Sequence, residues 1–274
     1  MTLLQSIILG IIQGLTEFLP ISSSAHLVIA PYIFGWQIPA QEGFIFDVLV
    51  QLGTLLAVIF YFRKDLYQII VAVINGIIHR RPFSDSMSRL GWLLILATIP
   101  AVIAGVLFKD MVERAFGSPL AAGLFLLGTA ALLVIAERVG KRNRSINTIN
   151  WLDALIAGLF QAVSLLPGIS RSGSTITGGM IRNLDRPSAA RFSFLMSVPV
   201  MIGAGALALV DLIKSPSFTA QIPTLIVGFI AAAIVGYLSI RWLLSYLVKH
   251  PLYFFAIYCV ALSIITIIFT FVRS

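Results

Sequence analysis

The chain contains few charged residues: Asp, Glu, Lys and Arg make up 11% of its 274 residues, whereas a soluble domain carries roughly 25%. The apolar share of 59% and the mean hydropathy of +1.00 indicate an all-α integral membrane protein instead. A net charge of +8 could suggest a nucleic-acid partner, but the basic residues occupy short segments between apolar runs. That distribution is typical of membrane topology and of contact with anionic lipid headgroups, so we predict no nucleic-acid partner.

Cysteine is nearly absent as well. The only one, Cys259, lies in an apolar run, which excludes a disulfide framework and any zinc-type Cys/His spacing. The N-terminus is apolar from Leu3 but lacks the basic region of a cleaved signal peptide, so we expect it to be retained.

Long apolar runs recur along the whole chain, and each could cross about 30 Å of hydrocarbon at 1.5 Å per residue. The predicted spans are 44–62, 90–108, 119–136, 192–213, 222–240 and 252–272. The run 66–78 is too short to span and has Arg and Lys residues on both sides, which favours an interfacial helix. The sequence therefore predicts a polytopic helical bundle forming one membrane domain over 1–274.

A polar stretch occurs twice in this apolar background. The first copy runs from Gln13 to His26 and the second from Gln161 to Thr175. One constant shift aligns both copies without a gap and pairs Gly10/Gly158, Gln13/Gln161, Ser22/Ser170 and Ser24/Ser172. Pro, Gly and Ser interrupt each copy, and broken backbone persists in lipid only where protein or a polar cavity satisfies it. We therefore predict re-entrant helical hairpins at 2–34 and 151–184.

The two halves of the chain match as repeats. Repeat one covers 1–138 and repeat two 149–274, and each has one hairpin followed by three spans. An odd number of crossings inverts the second repeat relative to the first. This topology collects most basic residues on one face and leaves four on the other: Lys109, Arg114, Lys214 and Arg273. By the positive-inside rule, both termini and the open end of hairpin one are predicted outside.

Glu17 lies one helical turn after Gln13 on the same face. A charged side chain at membrane depth is costly and therefore marks a site. A carboxylate beside an amide oxygen offers ligands for Mg²⁺ or Ca²⁺, which proteins often bind with one or two carboxylates and substrate phosphates. The alternatives are a Glu17 neutralised by burial and one paired with Arg171.

Arg171 lies in a segment rich in small hydroxyl residues, Pro167-Gly-Ile-Ser-Arg-Ser-Gly-Ser-Thr175. A cation, hydroxyl donors and a glycine-bent helix start suit a phosphate or diphosphate. The expected phosphate ligands here are Ser170, Arg171, Ser172 and Thr175. Close helix packing would explain the small residues but not the arginine.

Three serines follow Pro20, and His26 comes soon after them. Ser23 could be a nucleophile with His26 as its base, with Ser22 near the phosphate; alternatively, His26 attacks phosphorus itself or protonates the leaving group. In the other interpretation the serines cap a helix and His26 bonds a backbone carbonyl.

A second acid–amide pair, Asp47 and Gln51, repeats the spacing of one helical turn inside the first span. We expect both residues, together with Gln161, to contact and orient the residues of the site without touching the substrate themselves. Alternatively, Asp47 is simply solvated near the headgroups.

These motifs resemble those of the bacterial undecaprenyl-diphosphate phosphatases, a family also known for bacitracin resistance. The first family motif, Glu/Gln-x-x-x-Glu followed by Pro-x-Ser-Ser and His, corresponds to residues 13–26. The second, Pro-Gly-x-Ser-Arg-Ser-x-x-Thr, corresponds to 167–175. The segments beginning at Phe46-Asp47 and Phe192 also look like family segments, so the resemblance covers essentially the whole chain.

The resemblance implies a membrane enzyme that hydrolyses undecaprenyl diphosphate to the monophosphate and so recycles the lipid carrier of cell-wall synthesis. It implies dependence on a divalent cation, with Gln13 and Glu17 serving the metal or the diphosphate. It also implies a nucleophilic step at Ser23 or His26 and phosphate binding around Arg171. It further implies a site in the bacterial cytoplasmic membrane that opens outward, with bacitracin competing indirectly by binding the substrate. Position 13 holds the Gln option of the motif, which leaves one motif carboxylate and puts more weight on Glu17.

Inverted repeats with broken helices are also the usual architecture of secondary transporters. A transporter or flippase for an anionic lipid or small anion is therefore the alternative function. An oligomer is compatible with either function.

Overall fold

The computed structural model describes residues 1–116, 118–213 and 218–273. Within these ranges the regular structure is helical, and the only β-type pairing is an isolated bridge between Arg144 and Leu184. The α-helices are α1 Leu3–Phe18, α2 Ser23–Phe34, α3 Ala40–Tyr61, α4 Arg63–Ile78, α5 Ser86–Leu107, α6 Lys109–Phe116, α7 Pro119–Val139, α8 Trp151–Val163, α9 Arg171–Ile181, α10 Arg186–Ile213, α11 Phe218–Leu247 and α12 Tyr253–Arg273.

Six of the described helices are long and apolar enough to cross a membrane, namely α3, α5, α7, α10, α11 and α12. The all-helical, polytopic fold class is thus confirmed. Each of the six overlaps one predicted apolar run, but α10 and α11 extend to 28 and 30 residues. Both helices are longer than their predicted runs, because hydropathy locates only the apolar part of a helix. The helical hydrogen bonds of the backbone continue beyond that part into more polar residues. Lys214, one of the four basic residues assigned to the sparse face, lies outside the described residues.

Both polar stretches interrupt helices. The first break, residues 19–22, separates α1 from α2, and the second, residues 164–170, separates α8 from α9. At 16 and 13 residues, α1 and α8 extend only about 24 and 20 Å, shorter than a typical hydrocarbon core. The two hairpins therefore place their breaks within the bundle. The inverted relation of the two halves stays a prediction.

Each hairpin packs on a long helix from the other half of the chain. A Cβ on Gly10 of α1 would lie 2.5 Å from the carbonyl oxygen of Gly228 in α11. A Cβ on Gly158, its equivalent in α8, would lie 2.5 Å from the carbonyl oxygen of Ala97 in α5. Only glycine permits so close an approach of two backbones. The aligned glycines thus serve the same purpose, because each lets the first helix of its hairpin pack closely on a helix of the other half.

Two helices lie outside the six candidate spans and the hairpins. The predicted interfacial helix corresponds to α4, which packs on α5 and exposes Tyr67, Ile74 and Ile78. The eight-residue α6 was not predicted, because an apolar-run search passes over a segment with charged residues at four of eight positions.

Two buried acids form ion pairs with arginines on either side of the linker between the two halves. Glu137 lies near the end of α7, and Asp153 lies near the start of α8. Glu137 accepts hydrogen bonds from Arg142 at 2.7 Å, from both Nε and Nη2 of Arg186, and from the Leu252 backbone N–H. Asp153 pairs with Arg144 at 2.7 Å and with Arg182 at 2.8 Å. The sequence predicts only topology and headgroup contacts for these four arginines. The structure corrects that prediction, because all four also form ion pairs within the protein.

The loop between the halves is held by the same contacts. Arg144 exchanges backbone hydrogen bonds with Asn183 and Asp185 at 3.0 and 2.8 Å. Hydrogen bonding to the Asp153 carboxylate raises the pKa of the Arg144 guanidinium above its ordinary value. The linker is therefore fixed against the start of α10 and does not act as a flexible tether.

The second break depends on one glycine. Gly168 has a φ of +105°, and an added Cβ would lie 2.4 Å from the carbonyl oxygen of Ala122 in α7. The Thr129 hydroxyl in α7 donates to the Gly168 carbonyl at 2.7 Å and accepts from the Ser170 N–H at 2.8 Å. Backbone that leaves the helix here is thus satisfied by a side chain from a spanning helix.

We expect Gly168→Ala to destabilise the protein strongly, by about 3 kcal/mol or more, since it combines an unfavourable φ with a steric clash. Thermal unfolding in detergent measures this. Gly203→Ala is the matched control, because a Cβ there meets nothing within 4 Å and lies in a helix where Ala is favoured. Equal melting temperatures for the two variants would contradict the assigned role of Gly168.

Candidate active site

Glu17 is the centre of the polar contacts between the two hairpins. It lies near the end of α1 and is 8% exposed. Its Oε1 accepts a hydrogen bond from Arg171 Nη2 at 2.7 Å, and its Oε2 accepts from Ser23 Oγ at 2.7 Å. Gln13 Nε2 donates to the same Oε2 at 3.0 Å. Of the sequence alternatives for Glu17, the structure shows the pair with Arg171.

Arg171 is the first residue of α9 and is held in place by the second break. The Ser170 hydroxyl caps the helix by accepting from the Gly173 N–H at 3.0 Å. Arg171 Nη2 also contacts Met201 Sδ at 3.7 Å. Arg171 Nη1 is buried and has no hydrogen-bond partner among the described residues. A buried guanidinium nitrogen usually has a hydrogen-bond acceptor, so Nη1 has unused capacity to donate.

The two breaks are tied to each other directly. Ser172 Oγ donates to the Leu19 carbonyl at 3.1 Å, which joins hairpin two to the break in hairpin one. Ser22 and Ser170 are the N-caps of α2 and α9. Each lies about 3 Å from the serine two residues on, at 3.1 Å for Ser22–Ser24 and 3.2 Å for Ser170–Ser172. The aligned serines of both copies thus have equivalent positions.

Ser23 is the first residue of α2, and its partner is Glu17, not His26. The two ring nitrogens of His26 face other groups: Nδ1 lies 2.7 Å from the Ser22 carbonyl oxygen and Nε2 lies 2.8 Å from the Tyr258 hydroxyl. The predicted Ser23–His26 pair is therefore not formed. The structure shows the alternative arrangement, in which a serine caps the helix and His26 bonds a backbone carbonyl.

The other predicted phosphate ligands are buried within the protein. Thr175 Oγ1 lies 2.6 Å from Ser193 Oγ and donates to the Arg171 carbonyl at 2.9 Å. Ser170, Ser172 and Thr175 are all 1% exposed or less. Their hydroxyls therefore support the position of Arg171 and do not line the cavity beside Glu17.

A cavity of about 820 Å³ begins at this cluster. Its polar wall contains Gln13, Glu17, Ser23, Asp47 and Gln51, and its apolar wall includes Leu9, Leu27, Val28, Ile38, Phe44 and Val48. Thr54 of α3 lies 3.5 Å from Gln13 Nε2, and Asp47 is seven residues earlier, about 10 Å along the helix. Asp47 and Gln51 thus lie along one wall of the cavity, with Asp47 farther than Gln51 from the contact between Thr54 and Gln13.

Asp47 is exposed to this cavity, and none of the described residues donates a hydrogen bond to its carboxylate. Gln161, the third residue expected to support the site, does not line the cavity. It is 2% exposed, and its Nε2 lies 3.5 Å from the Ala97 carbonyl oxygen. It belongs to the packing of α8 on α5.

The donor set near Glu17 is one that a divalent cation accepts. Over the described residues, no three His, Cys, Asp or Glu side chains gather as metal ligands. The amide oxygen of Gln13, however, is buried and has no partner in the described part of the chain, while the amide nitrogen of the same side chain contacts the Glu17 carboxylate. One carboxylate and one amide oxygen suit Mg²⁺ or Ca²⁺ when phosphate oxygens complete the coordination.

Sequence reasoning missed three residues that hold this site: Thr54, which contacts Gln13; Thr129, which holds the second break; and Tyr258, which contacts His26. In the sequence each of the three is only a lone hydroxyl residue in an apolar run. Many such hydroxyls bond the carbonyl of the preceding helical turn, so the pattern does not single out residues that hold a site.

The fold and the site together define a polytopic helical membrane protein whose polar centre lies between two broken hairpins. The family model described as bacitracin resistance protein BacA matches residues 6–265, and the chain belongs to this family. The undecaprenyl-diphosphatase of Chlorobaculum tepidum is 48% identical over 96% of this chain and 95% of its own length. The undecaprenyl-diphosphatases of Chlorobium phaeobacteroides and Chloroherpeton thalassium are 46% and 42% identical over the same shares.

Proposed function

We propose that the protein hydrolyses undecaprenyl diphosphate to undecaprenyl phosphate and inorganic phosphate, and so recycles the lipid carrier for peptidoglycan and other wall polymers. The observation that carries this proposal is Glu17, which contacts a guanidinium on one side and a serine hydroxyl on the other. The names of the relatives support the same activity. A pure transporter would not need the Ser23 hydroxyl to be hydrogen-bonded to the Glu17 carboxylate beside the Arg171 guanidinium.

The cavity suits an amphiphilic diphosphate. Its apolar wall accepts the first isoprene units, while the polar wall near Glu17 faces the headgroup. The rest of a long isoprenyl tail lies between the helices or in lipid. The diphosphate is thereby held at the hairpin breaks, where the hydrogen-bond donors are.

Phosphoryl transfer depends mainly on positioning and on neutralising charge. Arg171 offers a buried Nη1 with no partner among the described residues. Two helix N-termini, those of α2 and α9, meet the same region and favour negative charge. When a phosphate binds Arg171, it competes with Glu17 for the guanidinium. Substrate binding therefore frees the Glu17 carboxylate to accept a proton.

Ser23 is the nucleophile in this mechanism and Glu17 is its base. Ser23 Oγ gives its proton to Glu17 and forms a bond to the terminal phosphorus. The bond from that phosphorus to the bridging oxygen breaks, and undecaprenyl phosphate leaves with the electron pair. A water molecule then hydrolyses the phosphoserine, giving inorganic phosphate and restoring Ser23. Direct attack by a water held in place of Ser23 Oγ is the alternative step.

A divalent cation, Mg²⁺ or Ca²⁺, would be held by the Gln13 amide oxygen and the Glu17 carboxylate, with diphosphate oxygens completing its coordination. When bound, such a cation neutralises charge on the phosphoryl oxygens. The protein groups would meanwhile fix its position at the break in hairpin one.

We further propose that the protein lies in the bacterial cytoplasmic membrane, with both termini outside and the cavity opening to the external face. This orientation rests on the distribution of basic residues and the positive-inside rule. Bacitracin would then inhibit indirectly, by binding the diphosphate lipid before it enters the cavity.

Glu17→Gln and Arg171→Gln should each lower phosphate release from undecaprenyl diphosphate by about a hundredfold or more, because each removes charge from the reacting centre. Phosphate release in detergent measures this loss. Asp65→Asn and Arg191→Gln are matched controls, because they alter another acid–arginine pair between two helices, and neither residue lines the cavity. Near-normal turnover in either Glu17 or Arg171 variant, with folding intact, would refute the assigned role.

Rapid acid quenching during turnover should trap a phosphate on Ser23, detected by mass spectrometry of peptides. Ser23→Ala should abolish the adduct and lower turnover by about a hundredfold or more. A phosphate found on His26 in a parallel sample quenched with base, in which phosphohistidine survives, would reassign the nucleophile. No adduct, with inversion of configuration at a stereolabelled terminal phosphorus, would establish direct attack by water, because two displacements through phosphoserine give net retention.

Gln13→Leu should weaken cation binding by about tenfold, as loss of a group at a metal site commonly does. Binding of Mn²⁺, followed by electron paramagnetic resonance with methylenediphosphonate present, measures this without turnover. Gln161→Leu is the matched control, since Gln161 occupies the equivalent position in α8 and does not line the cavity. Unchanged Mn²⁺ binding in Gln13→Leu would remove Gln13 from the cation site.

A further inference from the structure

The three histidines of the chain share one backbone contact. In each, Nδ1 faces the carbonyl oxygen of the residue four positions earlier: 2.7 Å for His26–Ser22, 2.8 Å for His79–Asn75 and 3.2 Å for His250–Tyr246. A carbonyl oxygen only accepts hydrogen bonds, so Nδ1 carries the proton in all three. In the neutral ring this leaves Nε2 as an acceptor.

Among the described residues, only His26 has a hydrogen-bond partner for Nε2. The Tyr258 hydroxyl in α12 lies 2.8 Å from it, and the two ring planes differ by only 4°. His26 is 8% exposed, whereas His79 and His250 are exposed. Since neutral Nε2 can only accept, the tyrosine hydroxyl donates. His26 is thus fixed at both nitrogens, between α2 and α12.

His26 contacts the backbone carbonyl of Ser22, the residue directly before Ser23. Ser22 has a φ of +69° and a ψ of +99°, a conformation that residues other than glycine rarely adopt. Such strain persists only where surrounding contacts fix it. The bond from His26 to the Ser22 carbonyl is one of these contacts, and the conformation of Ser22 sets the direction in which Ser23 leaves the backbone.

We propose that Tyr258 is a positioning residue that acts on Ser23 through His26 and Ser22. It donates to Nε2, keeps His26 as the Nδ1–H tautomer, and so holds the Ser22 turn that aims Ser23 Oγ at Glu17. The proposal rests on the proposed function, in which Ser23 and Glu17 react. It gives His26 an orienting task and leaves proton transfer to Glu17.

The first test needs no substrate. Histidine labelled with ¹⁵N gives ring signals from only three residues, and the spectra are recorded at mildly alkaline pH. His26 should show a protonated Nδ1 and an Nε2 resonance that shifts clearly in Tyr258→Phe. An Nε2 resonance that does not respond to this substitution would overturn the proposal, whatever the protein's activity.

Tyr32→Phe is the matched control. The Tyr32 hydroxyl also joins α2 to α12, donating to the Phe269 carbonyl at 3.5 Å, but it does not contact His26. If Tyr258 acts only by holding these two helices together, both substitutions should have similar effects. If it acts through His26, the Tyr32 variant should leave the His26 resonances and the turnover near those of the parent protein.

The second test is kinetic. Tyr258→Phe should lower kcat roughly three- to tenfold, the loss expected for one hydrogen bond, with KM nearly unchanged. It should also lower the amount of phosphoserine trapped at Ser23 in proportion to kcat. A raised KM with kcat intact, or equal losses in Tyr32→Phe and Tyr258→Phe, would overturn the positioning role. Absence of phosphate release by the parent protein would instead refute the proposed function, while the nuclear resonance result would still stand.

Discussion

The pair between Glu17 and Arg171 is the contact on which the arrangement of this protein depends. A carboxylate and a guanidinium that are 7% and 16% exposed tolerate burial only when paired, and removing one partner of such a pair costs about 3–5 kcal/mol. The two residues come from different halves of the chain. Their contact therefore fixes the relative position of both hairpins, and the free donor on Arg171 and the hydroxyl of Ser23 are aligned as a result.

The breaks that present these two residues are maintained by polar side chains in an apolar bundle. Thr129 satisfies the backbone around Gly168 and Ser170, and Ser172 connects that break to Leu19 in the other hairpin. At membrane depth such groups have no water to bond, so each unsatisfied one would be costly. A rigid site thus forms from irregular backbone that polar side chains of the described helices support.

Much of this architecture could be predicted from sequence, because lipid imposes strong constraints on composition. Apolar runs located the six long helices, and Glu17 and Arg171 stood out as charges in those surroundings. The partner of Ser23 could not be predicted, since spacing placed His26 nearby but did not show which way either side chain turns. The roles of Ser172 and Thr175 could not be predicted either, because the motif indicated phosphate ligands. In the structure the Ser172 hydroxyl donates to the Leu19 carbonyl, and the Thr175 hydroxyl bonds the Arg171 carbonyl and Ser193. The contacts of Thr54, Thr129 and Tyr258 could not be predicted either, because contacts between distant helices leave no local pattern beyond a lone hydroxyl in an apolar run.

The reciprocal packing of the hairpins has a consequence for synthesis of the chain. Hairpin one emerges first, yet Glu17 waits for Arg171, which follows 154 residues later, and α1 waits longer still for α11. At roughly 5–20 residues per second, translation alone separates Glu17 from its partner by about 8–30 s. During that interval the first half inserts with an unpaired carboxylate and a helix face rich in glycine that nothing yet covers. The nascent chain is therefore most exposed to the cell's membrane quality control before its second half is made.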